Sequence, residues 1–495
     1  MKNIFLLLIL SINYTFVYGQ NTFFKVYDIE PHNVAYNAIE TSAGGFILTG
    51  KIDKSSSLDN EKGYAFKISP EGIKTKEWIN DKPDVTSIFC LIQKTLNYND
   101  TFLVVGTEDS ISGDNMYNKV ILYYINDDLE IVSKKEFPAD VNERFGPEKI
   151  EIASDSIIYI LSGYSTSPFE GVGLSVFKLK LPYDSLNSMV AYYNGVGGYF
   201  PCDLIYNHID NKLNVFYYGI IPNKQDRGSI KIMQLDTNLQ ILNYATAPNR
   251  FLSNIGTTRY NDTSYLIAGT VSGGSISLYQ HIMVYWMNNN DTIKGLEYMN
   301  NPDTILFSGA GENIITNRNN IFITGCYNFN PSQAPWQDEP TWIQITKTDM
   351  ELNVINTHFY GGDAYYHPYD IIPTLDGGAF ITGLRYNYTV PEHKWDAFAL
   401  KVNEDGMVTD VPENASWKVK EALLYPNPGI NTLYIQTTLK NATLEMYDAN
   451  GRLVIQQNIN ETTTINTSAL NPGMYFYRVM QKGEVKDSGK WVKQQ

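Results

Sequence analysis

Cysteine and histidine are scarce in this chain of 495 residues, which has three of the first and six of the second. Cys90, Cys202 and Cys326 are each separated by more than a hundred residues, whereas an exported chain held together by disulfides would use many more. An odd number also leaves one thiol over, so we expect buried free thiols. No pair of cysteines or histidines has the spacing of metal ligands, and we expect no metal site and no cofactor.

Long apolar runs are missing as well. Beyond the first twenty residues, no stretch approaches eighteen uninterrupted apolar residues, which argues against a helical membrane anchor. The chain begins MKNIFLLLILSINYTFVYGQ, with one lysine, a short apolar run from Ile4 to Leu10 and a cleavage site after Gly19. This pattern predicts a secretory signal peptide over residues 1–19. A buried N-terminal strand is the alternative.

Positive charge is in deficit, with 38 Lys and Arg against 53 Asp and Glu and a formal net charge of −15. The deficit is uneven. Residues 422–495 hold seven basic against five acidic residues, or +2, whereas residues 20–421 hold 30 against 48, or −18. Such a surface repels polyanions. Nucleic acids and anionic polysaccharides are therefore excluded as favoured partners.

Helical periodicity is absent from residues 20–410, and a repeated strand takes its place. GGFILTG at 44–50 returns as GGAFITG at 377–383, and similar apolar runs that end in glycine lie between them. The successive glycines are separated by 56, 57, 56, 50, 56 and 58 residues. A period of this size is typical of solenoids, arrays or propellers. The glycines are Gly50, Gly106, Gly163, Gly219, Gly269, Gly325 and Gly383.

Each repeat contains the signals of four strands. A short strand precedes the glycine run, an alternating run such as YAFKIS or IKIMQLD follows it, and a polar turn leads to another extended segment. Four-stranded units of about 55 residues are propeller blades, and seven of them close a ring. The sequence therefore predicts an all-β chain with a seven-bladed β-propeller over residues 20–410. An eight-stranded barrel or a pair of β-sandwiches is the competing arrangement.

The ends of the repeat region predict how the ring closes. The last unit lacks a fourth strand, because DAFALKVNEDGMV runs directly into DVPENASW. TFFKVYDI at 22–29 stands ahead of the first unit without a partner of its own. We expect this N-terminal strand to become the outer strand of blade seven, which would remove an exposed edge.

The period stops at residues 411–421, which we interpret as a linker. Residues 422–495 alternate short strands with Asn, Gly and Pro turns. This alternation predicts a small Ig-like β-sandwich of about seven strands.

Several motifs in this C-terminal segment resemble a known family. YPNP at 425–428, MYDANGRLV at 446–454, NPGMYFYRV at 471–479 and the terminal GKWVKQ are similar to the C-terminal sorting domain of type IX secretion cargo from Bacteroidetes. The resemblance implies that residues 422–495 contact the type IX secretion machinery and that the protein is exported and attached to the outer-membrane surface. The repeat region resembles secreted propeller repeats, most fully in its last unit, and these imply no particular activity. An Ig-like binding module is the alternative for the C-terminal segment.

Motifs of known catalytic machinery are missing. The sequence has no G-x-S-x-G elbow, P-loop or H-E-x-x-H. SPEGIKTKEW at 69–78 faintly resembles the Asp-box of sialidases, but Glu replaces Asp and the segment falls on a hairpin turn that every blade needs. The acidic turns at 126–128, 349 and 403–405 lack the alternating ligands of a calcium loop. Turn formation is the favoured interpretation of these residues, with calcium binding as the weaker alternative.

The candidate binding residues lie where the first strand of each blade should enter the central channel. Polar side chains that converge on one axial opening are what a ligand pocket needs. Channel mouths are also wet, so polar residues there require no function, and this alternative is left open. The candidates are His32, Asn37, Arg144, Glu148, Asp203, Glu312, Asn313, His367 and Asp370.

A second candidate is the loop NFNPSQAPWQDEPTW at 328–342, which has a tryptophan on each side of an acidic turn. Exposed aromatic residues stack on sugars or anchor protein partners. Trp342 opens a strand and is expected in the core, so Trp336 is the better candidate for ligand binding.

Two functional hypotheses follow. The favoured one is a secreted, cell-surface β-propeller that binds a protein or a glycan through its axial face or through this loop. The alternative is a polysaccharide lyase or glycosidase, because glycosidases need two carboxyl groups within about 5–10 Å. Its acidic candidates would be Glu148, Asp203, Glu312 and Asp370. A structural role in a surface layer is a third possibility.

Overall fold

A computed structural model describes most of the chain after residue 20. The described residues are 21–29, 32–53, 61–94, 101–112, 115–154, 156–165, 172–180, 185–192, 199–219, 229–247, 251–272, 280–288, 291–298, 306–330, 338–390, 394–409, 422–425, 429–437, 439–448, 451–460 and 462–493. The predicted signal peptide and linker therefore lie outside the described residues.

All regular elements in the described part of the chain are β-strands, and they fall into two compact units. One unit holds β1 to β29 except for residues 358–360, and the other holds β30 to β36. The strands of the first unit are β1 (Phe23–Tyr27), β2 (His32–Glu40), β3 (Phe46–Asp53), β4 (Glu61–Ile68), β5 (Lys74–Ile79), β6 (Thr86–Lys94), β7 (Thr101–Ser112), β8 (Asn115–Asn126), β9 (Ile131–Pro138), β10 (Arg144–Ser154), β11 (Ile157–Ser165), β12 (Val172–Lys180), β13 (Ser185–Tyr192), β14 (Phe200–Asn207), β15 (Lys212–Gly219), β16 (Ser229–Asp236), β17 (Ile241–Thr246), β18 (Phe251–Arg259), β19 (Ser264–Ser272), β20 (Gln280–Asn288), β21 (Asp291–Tyr298), β22 (Leu306–Ser308), β23 (Ile314–Asn317), β24 (Asn320–Tyr327), β25 (Trp342–Thr348), β26 (Val354–Gly361), β27 (Tyr365–Pro373), β28 (Ala379–Asn387) and β29 (Lys394–Val402).

Within the described residues, the first unit consists of seven antiparallel sheets, which we number in chain order. Sheets 1 to 5 each take four consecutive strands, starting from β2, β6, β10, β14 and β18. In sheet 6 the innermost strand is split into β22 and β23, which both pair with β24, and β25 and β26 follow. Sheet 7 has the order β27, β28, β29 and β1. The all-β prediction is confirmed.

The strands in the middle of each sheet are buried on both faces, which explains their near-continuous apolar runs. In β3, Phe46 and Leu48 pack against sheet 7, whereas Ile47 points the other way and packs against sheet 2. Side chains alternate along a strand, so one run of the type FIL serves two interfaces. The repeated motif is therefore a packing element.

Apolar clusters join each sheet to the next one around a ring. Six clusters link sheets 1 to 7 in sequence, and another links sheet 7 back to sheet 1. In that last cluster the rings of Phe46 and Phe380 stack with centroids 3.9 Å apart. Strand β1 is the outermost strand of sheet 7 and pairs antiparallel with β29, with Phe23 opposite Lys401. Sheet 7 is thus built from both ends of the repeat region.

Steric constraints explain why the repeat motif ends in glycine at positions that face the inner strand. Six inner strands carry a bulge, in which one or more extra residues interrupt the pairing. In sheets 1 and 7 the glycine lies opposite the residue before the bulge, as Gly50 opposite Ala35 and Gly383 opposite Pro368. A Cβ atom on Gly50 would lie 1.9 Å from the Val34 carbonyl oxygen, and one on Gly383 would lie 2.2 Å from that of His367. Glycine is thus required because the backbones approach too closely for a side chain.

The second unit is a separate all-β body with its own core. One sheet holds β30, β31 and β34, and the other has the order β33, β32, β35 and β36. Both sheets contribute to one apolar cluster that includes the fully buried Trp491. The strands are β30 (Ala422–Tyr425), β31 (Thr432–Thr437), β32 (Ala442–Tyr447), β33 (Leu453–Ile459), β34 (Thr462–Asn466), β35 (Gly473–Gln481) and β36 (Glu484–Lys493).

Candidate functional site

The ring of seven sheets encloses an axial cavity of about 1020 Å³. Residues on the inner side of all seven sheets line it, and most belong to the strands β2, β6, β10, β14, β18, β23 and β27. The bulges lie in this lining. Their extra residues include Tyr36, Cys90, Glu148, Cys202 and Tyr369, and all five face the cavity.

Six of the residues that the sequence predicts for the axial face line this cavity together. They come from five sheets that are distant in sequence, so ring formation brings them together. They are Asn37, Arg144, Glu148, Asp203, Glu312 and Asp370.

Three other predicted residues belong to the described part of the chain but are not among the lining residues. His32 lies against Trp395 at a ring distance of 5.4 Å and accepts a hydrogen bond from its backbone N–H at 3.3 Å. His367 is enclosed by aromatic side chains, and burial lowers the pKa of its imidazole to about 4. The Asn313 amide is fully buried and donates to the Asn254 carbonyl oxygen at 2.8 Å. His32 and His367 precede the bulges of β2 and β27, whereas Asn313 precedes β23, whose pairing with β24 has no register shift.

The predicted binding residue Trp336 lies outside the described residues, as does most of its loop. Trp342, which the sequence places in the core, opens β25 and packs against Tyr327 with ring centroids 5.9 Å apart.

Two of the predicted polar residues tie the first and last sheets together. Asp370 Oδ2 accepts hydrogen bonds from the Ala38 backbone N–H at 2.9 Å and from Asn37 Nδ2 at 3.0 Å. Asn37 Oδ1 in turn accepts from the Ile92 backbone N–H of sheet 2 at 2.9 Å. Both residues directly follow a bulge, and each accepts from the inner strand of the next sheet. We call such a residue an inter-sheet latch.

Asp203 is a third inter-sheet latch. It follows the bulge of β14, and its Oδ2 accepts from the Thr257 backbone N–H of sheet 5. Its Oδ1 accepts from the Leu204 backbone N–H at 2.7 Å. Only 1% of Asp203 is exposed, and its Oδ2 joins sheets 4 and 5 whereas its Oδ1 accepts from its own strand.

Burial changes the protonation of Asp370. The residue is 1% exposed, and its Oδ1 has no hydrogen-bond partner among the described residues. Desolvation therefore raises the pKa of this carboxyl to about 7, although the Ala38 N–H and the Lys149 charge oppose the rise. Asp370 is consequently a carboxylic acid over much of the acidic pH range.

Lys149 is the main cavity residue that sequence reasoning missed. It occupies the position after the bulge in β10, where β2, β14 and β27 carry latches. Its ammonium group pairs with Glu312 of sheet 6 and lies 3.3 Å from Asp203 Oδ1. Aligning the repeats at their bulges would have revealed a lysine where β2, β14 and β27 carry Asn or Asp.

A further charged pair lies towards the C-terminal ends of the inner strands. Arg259 Nη2 donates to Glu151 Oε1 at 3.0 Å and to the Tyr206 carbonyl oxygen at 2.7 Å. Glu151 also accepts from the Tyr206 backbone N–H at 3.0 Å. Desolvation still raises the pKa of Glu151, since these partners only partly offset it. Sequence reasoning missed this pair because no motif marks it.

The mouth formed by the N-terminal ends of β10 and β14 is more open. Phe200 and Tyr218 are cross-strand partners that line the cavity and are 45% and 36% exposed. Arg144 pairs with Asp109 and keeps about half of its side chain in solvent. Glu148 has no hydrogen-bond or ion-pair partner among the described residues, and desolvation raises the pKa of its carboxyl to about 7. We call Arg144, Glu148, Phe200 and Tyr218 the aromatic mouth.

Two cavity residues are cysteines. Cys90 and Cys202 occupy the bulges of β6 and β14, and all three cysteines of the chain are free thiols. Desolvation raises the pKa of Cys202 to about 12 and also raises that of Cys90. Thiolates are the reactive form, so these thiols are poor nucleophiles at neutral pH.

Among the described residues, no group of three or more His, Cys, Asp or Glu side chains is arranged to hold a metal ion. The same part of the chain contains no helix of the length and apolarity needed to span a membrane.

The solved structures to which this chain is similar include β-propellers. The β-propeller domain of the Trilobed protease from Pyrococcus furiosus is 8% identical, with a TM-score of 0.42 over 77% of this chain and 96% of that one. Polysaccharide lyase Uly1 is 9% identical, with a TM-score of 0.42 over 76% and 91%. The extracellular domain of the hybrid two-component system BT3049 from B. thetaiotaomicron is 11% identical, with a TM-score of 0.41 over 94% of this chain. The present chain spans 55% of the length of that last structure. Likeness at this level concerns the fold alone.

The second unit identifies the secretion system that exports the protein. Residues 423–494 match the family model of the secretion system C-terminal sorting domain, which confirms the resemblance seen in the sequence. The chain is therefore a type IX secretion cargo with a β-propeller, secreted and placed at the cell surface. Comparison with curated proteins gives no match.

Proposed function

We propose that this protein is a cell-surface binding protein whose ligand, a glycan or a segment of another protein, enters the axial cavity of the propeller. The observation that carries the proposal is the cavity itself. Its volume of about 1020 Å³ is at the upper end of the roughly 300–1000 Å³ common for ligand pockets. Its mouth also presents exposed aromatic rings beside a carboxylate, Glu148, that has no partner among the described residues.

The state of the four candidate carboxylates supports binding over catalysis. A glycosidase needs one carboxyl group that can give a proton and another that can attack or activate water. Asp203 and Asp370 instead accept backbone hydrogen bonds as inter-sheet latches. Glu312 is held by Lys149. Glu148 alone is left without such a structural role, and one carboxylate does not supply both steps.

Binding can be tested with the purified full chain on a glycan array and in a pull-down from the extracellular fraction. Gly146→Phe blocks the cavity with little strain, because Gly146 lines it and a Cβ atom there would have no neighbour within 4 Å. Ser133→Phe is the matched control, since Ser133 is exposed on β9, the outermost strand of sheet 2. We expect wild-type protein and Ser133→Phe to retain a ligand that Gly146→Phe loses.

The proposal fails if wild-type protein retains no ligand in either assay, or if Gly146→Phe binds as tightly as wild type. Turnover of a polysaccharide that is abolished by Glu148→Gln would replace it with the enzyme alternative.

A further inference from the structure

We infer that the aromatic mouth is a sugar-binding subsite for neutral glycans. This inference rests on the proposed function and narrows its ligand to one class. The four residues of the mouth come from neighbouring sheets, with Arg144 and Glu148 on β10 of sheet 3 and Phe200 and Tyr218 on β14 and β15 of sheet 4. All four line the same cavity.

The aromatic rings provide the apolar half of the subsite. Phe200 and Tyr218 lie directly opposite each other in the ladder, with ring centroids 6.3 Å apart and planes inclined by 52°. Tyr206 on the same inner strand and Tyr199 just before it are buried in the cluster between sheets 3 and 4. Phe200 and Tyr218 are instead 45% and 36% exposed at a cavity mouth. Exposed rings in a concave site are suited to stack on the C–H face of a pyranose.

Arg144 and Glu148 provide the polar half. Glu148 offers two acceptor oxygens that are not engaged by any described residue. Arg144 uses part of its guanidinium to bind Asp109, and a guanidinium has five N–H donors in a fixed fork. An acceptor and a donor on one strand beside two aromatic rings match the neighbouring hydroxyls of a sugar.

The charges of the cavity select for a neutral glycan. Each of its cations is paired with a carboxylate, because Lys149 is held by Glu312 and Asp203, Arg259 by Glu151 and Arg144 by Asp109. Acidic residues outnumber basic ones by 48 to 30 over residues 20–421, and this excess repels an anionic sugar. Uronic-acid polymers should therefore bind more weakly than uncharged ones.

The test is titration calorimetry of the full chain with hexasaccharides of glucose, mannose and xylose, and with hexagalacturonate as the anionic counterpart. We expect at least one neutral hexasaccharide to bind and hexagalacturonate to bind more weakly.

Phe200→Ala, Tyr218→Ala and Glu148→Ala should each weaken that binding about tenfold, as loss of an anchoring contact does. Phe200→Leu keeps an apolar side chain but removes the ring, and should weaken it similarly. Tyr117→Ala is the matched control, because Tyr117 is 38% exposed and does not line the cavity.

Three results would overturn the inference: no neutral hexasaccharide binds, hexagalacturonate binds more tightly, or the Phe200 and Tyr218 variants bind like wild type. Thermal unfolding of each variant shows whether the fold is intact, and Phe200→Leu serves if Phe200→Ala is unstable. If the glycans fail while a protein ligand is retained and lost in Gly146→Phe, this inference falls and the proposed function stands. If no ligand of either kind is retained, both fall.

Discussion

Lys149 of sheet 3 and Glu312 of sheet 6 form an ion pair inside the ring. Two sheets separate them in one direction around the ring and three in the other, so their side chains meet across the axial cavity. Lys149 also lies beside Asp203, and it therefore compensates two carboxylates that point towards the axis.

Removal of this lysine should destabilise the propeller. Lys149→Met leaves Asp203 and Glu312 without their shared cation, and because both ends of the pair are only 18% and 19% exposed, we expect a loss of about 1–3 kcal/mol in the free energy of unfolding. Urea unfolding followed by tryptophan fluorescence measures this loss. Lys76→Met is the control, since its pair with Asp128 is 46% and 65% exposed and should matter by less than about 0.5 kcal/mol. Equal losses in the two variants would contradict a special role for Lys149.

The Asp370 carboxyl should make stability fall as the pH rises. Its pKa is about 7 in the folded protein and about 3.9 in an unfolded chain. Between these values the folded state binds more protons than the unfolded state, so the contribution of Asp370 is fully present near pH 4 and is lost as the pH rises through 7. Asp370→Asn stays neutral and keeps an oxygen for the Ala38 N–H. We expect the variant to gain about 1–3 kcal/mol relative to wild type between pH 4 and pH 8.

Melting temperatures of both proteins across this pH range provide the measurement. A constant difference between Asp370→Asn and wild type at every pH would show that the carboxyl does not titrate in this window.

The glycines that lie opposite the residue before a bulge in sheets 1 and 7 should tolerate no side chain. Gly50→Ala and Gly383→Ala place a Cβ atom 1.9 Å and 2.2 Å from a carbonyl oxygen, so the inner strand must move. We expect each to cost about 2–4 kcal/mol or to prevent folding. Gly163→Ala is the matched control from sheet 3, where the nearest atoms would be 3.7 Å and 3.8 Å away. Soluble yield and urea midpoints compare the three variants, and a control as damaged as the others would refute the steric explanation.

Strand β1 should be needed for a cooperative ring. Phe23 is 5% exposed and belongs to the cluster that joins sheets 7 and 1, so Phe23→Ala should destabilise by about 3–5 kcal/mol. Val26 lies on the same strand but is 38% exposed, and Val26→Ala should cost less than about 1 kcal/mol. Thermal unfolding distinguishes the two. Similar losses would indicate that β1 acts only through its backbone.

The fold was largely predictable because its constraint is repeated along the chain. A residue such as Gly50 is forced by a close backbone approach, and the same approach recurs at Gly383, so the period appears directly in the sequence. The apolar runs recur for a similar reason, since each central strand packs against two sheets. The split inner strand of sheet 6 was not predicted, because its interruption at β22 and β23 has no counterpart in the other repeats.

The candidate site was predictable only in part. The position of the first strand of each blade placed Glu148 and Asp370 at the axis, but a bulge shifts the register, and its position is not visible in a single repeat. For this reason Lys149 was missed, although it is adjacent to Glu148. His367 was placed at the axis, yet it lies before the bulge and packs among aromatic rings. The pairing of Lys149 with Glu312 depends on the ring and has no local signal.

The bulge also separates two roles of an inner strand, which are pairing with the next strand and lining the cavity. The extra residue of a bulge takes no part in the ladder. In β2, β14 and β27 the latch that follows it binds the neighbouring sheet, and in sheets 1 and 7 the glycine on the next strand allows the backbones to approach closely. Tyr36, Cys90, Glu148, Cys202 and Tyr369 therefore line the cavity without pairing in the ladder, and all but Glu148 also pack against the clusters between sheets. Exchanging Glu148, which belongs to none of the apolar clusters, would change the charge of the cavity without disturbing the packing between sheets. Exchanging Tyr36 or Tyr369 would also alter the packing of sheets 1 and 7, because their rings contact each other at 5.3 Å.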